Sequence, residues 1–437
     1  MNKLKSITYI VLCILPLSDL KAQEKLTLQQ AITISLDNNY SIKISKTQKE
    51  ISTNDVSYGN AGILPAVTGN LNQSNNIQTS TVNLASGDTR NANNAKSNSF
   101  SYGVGLNWKV FDGFTMFANY DRLKELEKLG ELNAQLTVQT TIANVIDTYY
   151  NLISQNKQLE STKTGLEVSQ LRFKDANSRY RLGRGSKLEL LAAKVDLNTD
   201  TTQLLRQQDL IKNIKVQLNQ LLARDLNTAF KIDEQIAIDK FLVYENLKPL
   251  VDIKSLDVQT ANINQKIAEI YIKQIKGARY PTIALNSGYN FSKNTSPPTS
   301  FALRFNTRGF NYGLTASINV FNGFQQGRLE KNANLELQNA NYDLERIKQN
   351  VNANLLTAYQ NYQTNLKLLM LEESNIEVAK ENLDITLEKY RLGSIVPLEL
   401  REAQRNYIEA NARYANTLYV TKISEVSIKE ITGTLSF

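Results

Sequence analysis

Histidine is absent from the 437 residues, and cysteine occurs once, at Cys13. Without histidine, and with that cysteine in a segment read below as a cleaved leader, zinc sites of ordinary type and Ser-His or Cys-His nucleophiles cannot be assembled. Disulfides are excluded on the same ground. No second apolar stretch approaches the ~20 residues that a membrane-crossing helix needs. If the chain lies in a membrane it must do so as a barrel, because only helices and closed barrels satisfy their backbone polar groups in lipid. Carboxylate chemistry stays open, yet no paired acids stand in a cleft-forming context. The chain does not read as an enzyme, and no cofactor or metal is expected.

The N-terminus has the features of a secretory leader over residues 1–22. Lys3 and Lys5 supply the positive start, Ile7 to Leu17 the apolar run, and Ala22 a plausible cut. Leu12, rather than a small residue, precedes Cys13, which argues against a lipidated cysteine. Cleavage removes Lys3, Lys5, Lys21 and Asp19 from totals of 50 basic and 42 acidic residues, leaving 47 against 41, a charge of +6. The excess is spread along helical stretches as solvated faces, and no nucleic-acid patch emerges.

What is present is duplication. Tyr102 to Phe114 reads YGVGLNWKVFDGF, and 210 residues on Tyr312 to Phe324 reads YGLTASINVFNGF. In each, apolar side chains alternate with small or polar ones. Tyr102, Val104, Leu106, Trp108 and Val110 stand against Gly103, Gly105, Asn107 and Lys109. Tyr312, Leu314, Ala316, Ile318 and Val320 stand against Gly313, Thr315, Ser317 and Asn319. This period of two predicts strands, and Asp-Gly or Asn-Gly then breaks each into a helix. At the same offset Tyr180-Arg181-Leu182-Gly183 matches Tyr390-Arg391-Leu392-Gly393, and Leu188-Glu189-Leu190 matches Leu398-Glu399-Leu400. A fixed offset means repeated architecture.

The organisation expected is a first repeat over 23–225, a connector over 226–250 and a second repeat over 251–437. Each repeat runs helix, strand, loop, strand, very long helix, tight turn, helix. Helices are predicted over 26–58 and 253–276, before Pro65 and Pro281. Strands are predicted over 66–72, 102–110, 282–291 and 312–320. Loops fall at 73–99, rich in Asn, Ser and Thr, and at 293–308. Proline-free stretches over 113–181 and 325–390 predict helices of roughly 100 Å at 1.5 Å per residue. Helices so long need partners along their length, in coiled-coil manner. Return helices are expected over 187–223 and 394–431; in the first, Leu190, Leu197, Leu204, Ile211 and Leu218 recur every seven residues. The tail 432–437 is expected to dock near the connector.

Four strands cannot close a barrel, for which eight is the usual minimum, whereas three chains supply twelve. A soluble sheet with one buried face would show the same alternation. The whole mature length, however, resembles the TolC family of outer-membrane efflux and secretion channels. The leader, the duplication, the strand-FDGF-helix and strand-FNGF-helix joints and the paired YRLG turns carry that resemblance together. It implies an α+β membrane protein: a homotrimer whose twelve-stranded β-barrel, four strands per chain, continues into a periplasmic α-helical coiled-coil tunnel. It implies passive conduction across the outer membrane, powered by an inner-membrane transporter through a periplasmic adaptor. A duct dedicated to protein secretion fits equally, and a coiled-coil scaffold without a pore is the alternative of another class. Outer-membrane lipid is then met by Val104, Leu106, Trp108, Leu314 and Ile318. The resemblance places adaptor docking at Arg181, Leu182, Gly183, Arg391, Leu392 and Gly393. It places a periplasmic aperture at Glu399 and Glu402, six and nine residues past Gly393. Glutamates there would equally suit the start of a helix.

Overall fold

The computed structural model describes residues 24–300 and 302–435, so the expected leader with Cys13 lies outside the described residues. The first repeat comprises α1 (Leu28–Asn38), α2 (Tyr40–Asp55), β2 (Ala66–Asn83), β3 (Thr89–Asp112), α3 (Thr115–Arg181) and α4 (Lys187–Leu221). The second comprises α5 (Tyr244–Lys254), α6 (Leu256–Gly277), β5 (Thr282–Thr295), β6 (Arg304–Ser317), α7 (Gln325–Arg391) and α8 (Pro397–Ile431). A short parallel pair, β1 (Glu24–Leu26) and β4 (Phe230–Ile232), ties the chain start to the segment between the repeats. The repeats match in length: α3 and α7 have 67 residues each, α4 and α8 35 each.

The helix expected over 26–58 is two helices. Asn39 leaves helical geometry at φ −57°, ψ 128°, and its side chain accepts from the Ser41 and Ile42 amides at 2.9 and 3.3 Å, starting α2 anew. Ser255 makes the same break, at φ −61°, ψ 123°, between α5 and α6. The second approach therefore begins at Tyr244 rather than 253, and Pro249 lies inside α5.

The coiled-coil expectation holds, with one seam shifted. On α7, Leu355, Tyr362, Leu369, Leu383 and Tyr390 are buried at multiples of seven residues. On α4 the expected seam is buried at Ile211 and Leu218, and only its half toward the turn shifts: Leu190, Leu197 and Leu204 are half-buried there, and Ala193, Asp200 and Gln207 lie deeper. Apolar clusters form at the waist and near the turns. At the waist, Tyr149 donates to the Leu26 carbonyl at 2.9 Å and accepts from the Asp233 amide at 3.1 Å, while Tyr362 donates to the Asp239 carbonyl. The connector is thus held against both long helices. The tail meets α5: Gly433, at φ +62°, approaches the Lys254 carbonyl so closely that a Cβ would stand 2.5 Å from its oxygen.

The four long strands form one antiparallel sheet in the order β2-β3-β5-β6. They are longer than alternation predicts. The 73–99 stretch is mostly strand, interrupted at Leu84 to Asp88, and β5 and β6 extend so that the second turn is only 296–303. Asn, Ser and Thr signal a loop in a globular protein. Here both faces beyond the apolar band are wet, and ladder hydrogen bonds run between backbones whatever the side chains. At the other end β6 stops at Ser317, so Ile318, Asn319 and Val320 lie in the joint and not in the strand.

Candidate channel wall, aperture and docking tips

Register sorts the strands into two faces, because directly paired residues share a side of the sheet. Rows on one face read Leu71–Tyr102–Phe291–Arg308, Gly69–Val104–Tyr289–Phe310, Val67–Leu106–Ser287–Tyr312 and Trp108–Leu285–Leu314. Rows on the other read Asn70–Gly103–Asn290–Gly309, Thr68–Gly105–Gly288–Asn311 and Ala66–Asn107–Asn286–Gly313. One face is thus apolar and aromatic, the other small and amide-rich. Val104, Leu106, Trp108 and Leu314 all sit on the apolar face as expected; Ile318 does not belong to the sheet. Tyr102 stacks on Phe291 at 4.8 Å, and the Trp108 indole donates to the Ile63 carbonyl at 2.9 Å. Across the polar face Asn107 donates to Asn286 at 3.0 Å and Asn290 to Asn311 at 3.0 Å, so its amides satisfy one another in water.

Each returning strand passes to its long helix through two consecutive left-handed residues. Gly113 and Phe114 have φ 71° and 69°, Gly323 and Phe324 φ 66° and 62°. Glycine takes that region freely, whereas phenylalanine is strained there, and packing must hold it. Phe111 meets Phe114 edge-on at 5.1 Å and Phe321 meets Phe324 edge-on at 5.3 Å, so each FxGF motif folds onto itself.

The turns at the far end are also a matched pair. The Gly183 amide donates to the Tyr180 carbonyl at 3.0 Å and the Arg184 amide to Arg179 at 2.8 Å; Gly393 and Ser394 repeat both bonds with Tyr390 and Lys389 at 2.9 Å. These are Schellman closures, which require the left-handed glycine. Arg181, Leu182, Arg391 and Leu392 lie exposed beyond them, the leucines at 71% and 80%. The two hairpins lie side by side. The Arg179 guanidinium stands 5.8 Å from the Tyr390 ring centre, and Val168, Leu383, Tyr390, Leu400 and Ala403 share one apolar cluster. Burial first, and the Asp175 carboxylate second, raise the Tyr390 phenol above its ordinary pKa and keep it protonated.

Glu399 lies in the first turn of α8 and Glu402 one turn on, both exposed. Glu402 stands 3.7 Å from Arg405, which also reaches Glu409 at 3.6 Å. Glu402 borders a cleft of 490 Å³ between the hairpins with Glu189, Asp196, Arg172, Arg401 and Arg405. Glu402 is therefore part of a mixed-charge surface within one chain, whereas Glu399 stands outside that cleft.

The profile of the outer membrane efflux protein family matches residues 31–224 and 251–434, one stretch in each repeat. The chain belongs to the outer membrane efflux protein family. It is 21% identical to the outer membrane protein TolC of Escherichia coli (strain K12) over 358 residues, 79% of this chain and 72% of that protein. Among solved structures it resembles the Campylobacter jejuni CmeC outer membrane channel, with TM-score 0.76 at 17% identity over 93% of this chain and 85% of that one. It also resembles the open state of the Neisseria gonorrhoeae MtrE outer membrane channel, with TM-score 0.72 at 16% identity over 94% and 89%. The fold is that of these channels, and this outer membrane efflux protein lies in the outer membrane and extends into the periplasm.

One constellation in this efflux protein escapes sequence reading. Asp200 on α4 accepts from Arg401 at 2.7 Å and Gln404 at 2.9 Å, both on α8, and from Ser169 on α3. Gln404, fully buried, also donates to the Gly165 carbonyl at 2.5 Å. Asp196 pairs with Arg172 at 2.9 Å and with Arg401 at 3.7 Å. Two carboxylates and two guanidiniums balance, so α8 is clamped to α3 and α4 just above the tips. The available signal was a polar residue at every seventh position, Asp200 and Gln207, in the less regular seam of α4. The α8 partners of Asp200, Arg401 and Gln404, lie more than 200 residues away.

Proposed function

We propose that three copies of this chain close a twelve-stranded barrel and conduct substrates passively out of the periplasm. Docked on an adaptor protein fed by an inner-membrane transporter, the assembly is the exit duct of a tripartite pump. The observation that carries this reading is the pair of open edges, β2 and β6, on a four-stranded sheet with one apolar face. Unpaired edges are filled or covered in stable proteins, and four strands do not close. A soluble scaffold would leave the Val67 to Leu314 face in water, against the ordinary limit on exposed apolar patches. The joints support the same closure. Gly113 is roofed within its own chain by Gly277 and Tyr280, while Gly323 has nothing within 4 Å of its would-be Cβ. If β6 meets the β2 of a neighbour as β3 meets β5, the neighbour's segment before Pro65 takes the place of that roof.

In this reading Leu182 and Leu392, with Arg181, Gly183, Arg391 and Gly393, meet the adaptor, and Glu399 and Glu402 from three chains form a ring of acids at the periplasmic aperture. Replacing Leu182 and Leu392 together with Asp tests the docking. The double variant should assemble heat-modifiable oligomers at normal level yet export nothing. Normal drug resistance at normal protein level would remove docking from these turns.

A further inference from the structure

The barrel strands carry their charge unevenly. From Val56 to Gly87 there is no charged residue at all, and no acid occurs from Pro281 to Gly327. The cations stand high on the apolar face. Counting up from the joint, Phe111–Ile283–Ala316 is the lowest outward row, and Leu71–Tyr102–Phe291–Arg308 lies nine residues above it on β3. About 9–11 residues span the hydrocarbon, so Arg308 sits at its upper edge. The next outward rows are Gln73–Phe100–Lys293–Asn306, then Asn75–Asn98–Thr295–Arg304, then Ile77–Lys96.

Lys293 stands opposite Asn306, so Arg304 and Arg308 are its two diagonal neighbours, about 7–8 Å away. Like charges at such spacing repel unless an anion lies between them. All of Lys96, Lys293, Arg304 and Arg308 are exposed, and none has an acidic partner among the described residues. The joint end differs. There Lys109 faces the polar side beside Asp112 at 4.0 Å, and Arg279 is taken up by Glu330. Among the described strand residues, cations without an acidic partner stand on the apolar face only at the end remote from the helices.

We propose that Lys293, Arg304 and Arg308, with Lys96 above them, form a binding site on the outer wall for the phosphate groups of a phosphorylated glycolipid in the outer leaflet. The aromatic rings of Phe100, Tyr102, Phe291 and Phe310 underlie it, level with the tops of acyl chains. Arginine forks and a lysine between them suit a phosphomonoester on a sugar headgroup. The site rests on the sheet being a barrel wall.

The test is native mass spectrometry of the assembled protein with bis-phosphorylated lipid A, with the same lipid enzymatically dephosphorylated, and with phosphatidylglycerol. Wild type should retain lipid A and lose it on dephosphorylation. Lys293→Gln should lower retention roughly fivefold, the scale of one interfacial cation. The triple variant Lys293→Gln, Arg304→Gln, Arg308→Gln should abolish it, and Lys109→Gln should leave it unchanged. Equal binding of dephosphorylated lipid, or of phosphatidylglycerol, by wild type overturns the site without any variant. So does full retention by a triple variant that assembles normally. A wild-type chain that forms no membrane oligomer would instead overturn the barrel reading itself.

Discussion

The two strand-to-helix joints have the same backbone and different surroundings. In the first, Asp112 is buried and accepts from the Met116 amide at 3.0 Å, and Phe114 leans edge-on against Tyr280 at 6.0 Å. In the second, Asn322 makes the weaker bond to the Gln326 amide at 3.3 Å, and Val320 and Phe324 are 92% and 81% exposed. The end of α6 serves both. Gly277 presses on Gly113 from one side, while on the other Gln326 donates to the Ile275 carbonyl at 2.7 Å and Arg279 holds Glu330 with two bonds at 2.5 and 2.8 Å. That fork, ahead of a hydrogen bond from Gln326, draws the Glu330 carboxyl down to about 2. Duplication of sequence therefore produced one joint finished inside the chain and one finished at its edge. The local motif sets the backbone, and strand order sets what covers it.

The largest effect expected lies at the glycines of the joints. A Cβ at Gly113 would stand 2.0 Å from the Gly277 carbonyl oxygen, so Gly113→Ala should prevent assembly of the channel. Within one chain Gly323→Ala meets only the left-handed penalty of about 1–2 kcal/mol. If a neighbouring chain roofs the second joint, Gly323→Ala should fail as well. Oligomer yields on unheated gels measure this, and normal yield for Gly323→Ala beside failure of Gly113→Ala would mark the second joint as free in the assembly.

Next comes the clamp, which the repeat does not duplicate. At the positions corresponding to Ser169, Arg172, Asp196 and Asp200 the second copy has Ala379, Asn382, Asn406 and Ala410. Asp200→Ala should cost about 3–5 kcal/mol, since it leaves two guanidiniums, Arg172 and Arg401, sharing the single carboxylate of Asp196 in a largely buried seam. Denaturant unfolding of the helical region is the measurement, and a loss below about 1 kcal/mol would show the clamp to be solvated, as exposed pairs are.

A somewhat smaller cost falls on the wall. Leu314→Arg on the edge strand and Val104→Arg on the inner strand should each lose about 2–4 kcal/mol near the bilayer midplane, while Thr315→Arg should be tolerated. Membrane insertion assays decide it; equal damage from Leu314→Arg and Thr315→Arg would refute the facing. The smallest effect separates the copies at the aperture. The second copy has Glu399 and Glu402 where the first has Glu189 and Ala192. Glu399→Ala with Glu402→Ala should weaken cation preference and divalent block in bilayer recordings without altering assembly. Selectivity that stays the same would leave these glutamates as helix-start residues.

The sequence alone determined the duplication, the order of elements, the two faces of each strand and the turns at Gly183 and Gly393. All of these are written in periods of two and seven and in residues that only tight turns require, so they are legible within a few positions. Strand length was not, because Asn, Ser and Thr pair as well as any residue once both faces are wet. The breaks at Asn39 and Ser255 went unread because one residue interrupts an otherwise helical spacing. Tertiary structure alone decided that Asp200 meets Arg401, that Gly113 is roofed and Gly323 bare, and that Arg304 and Arg308 flank Lys293. Each depends on which segments distant in the chain lie side by side, and local periodicity carries no information about that choice.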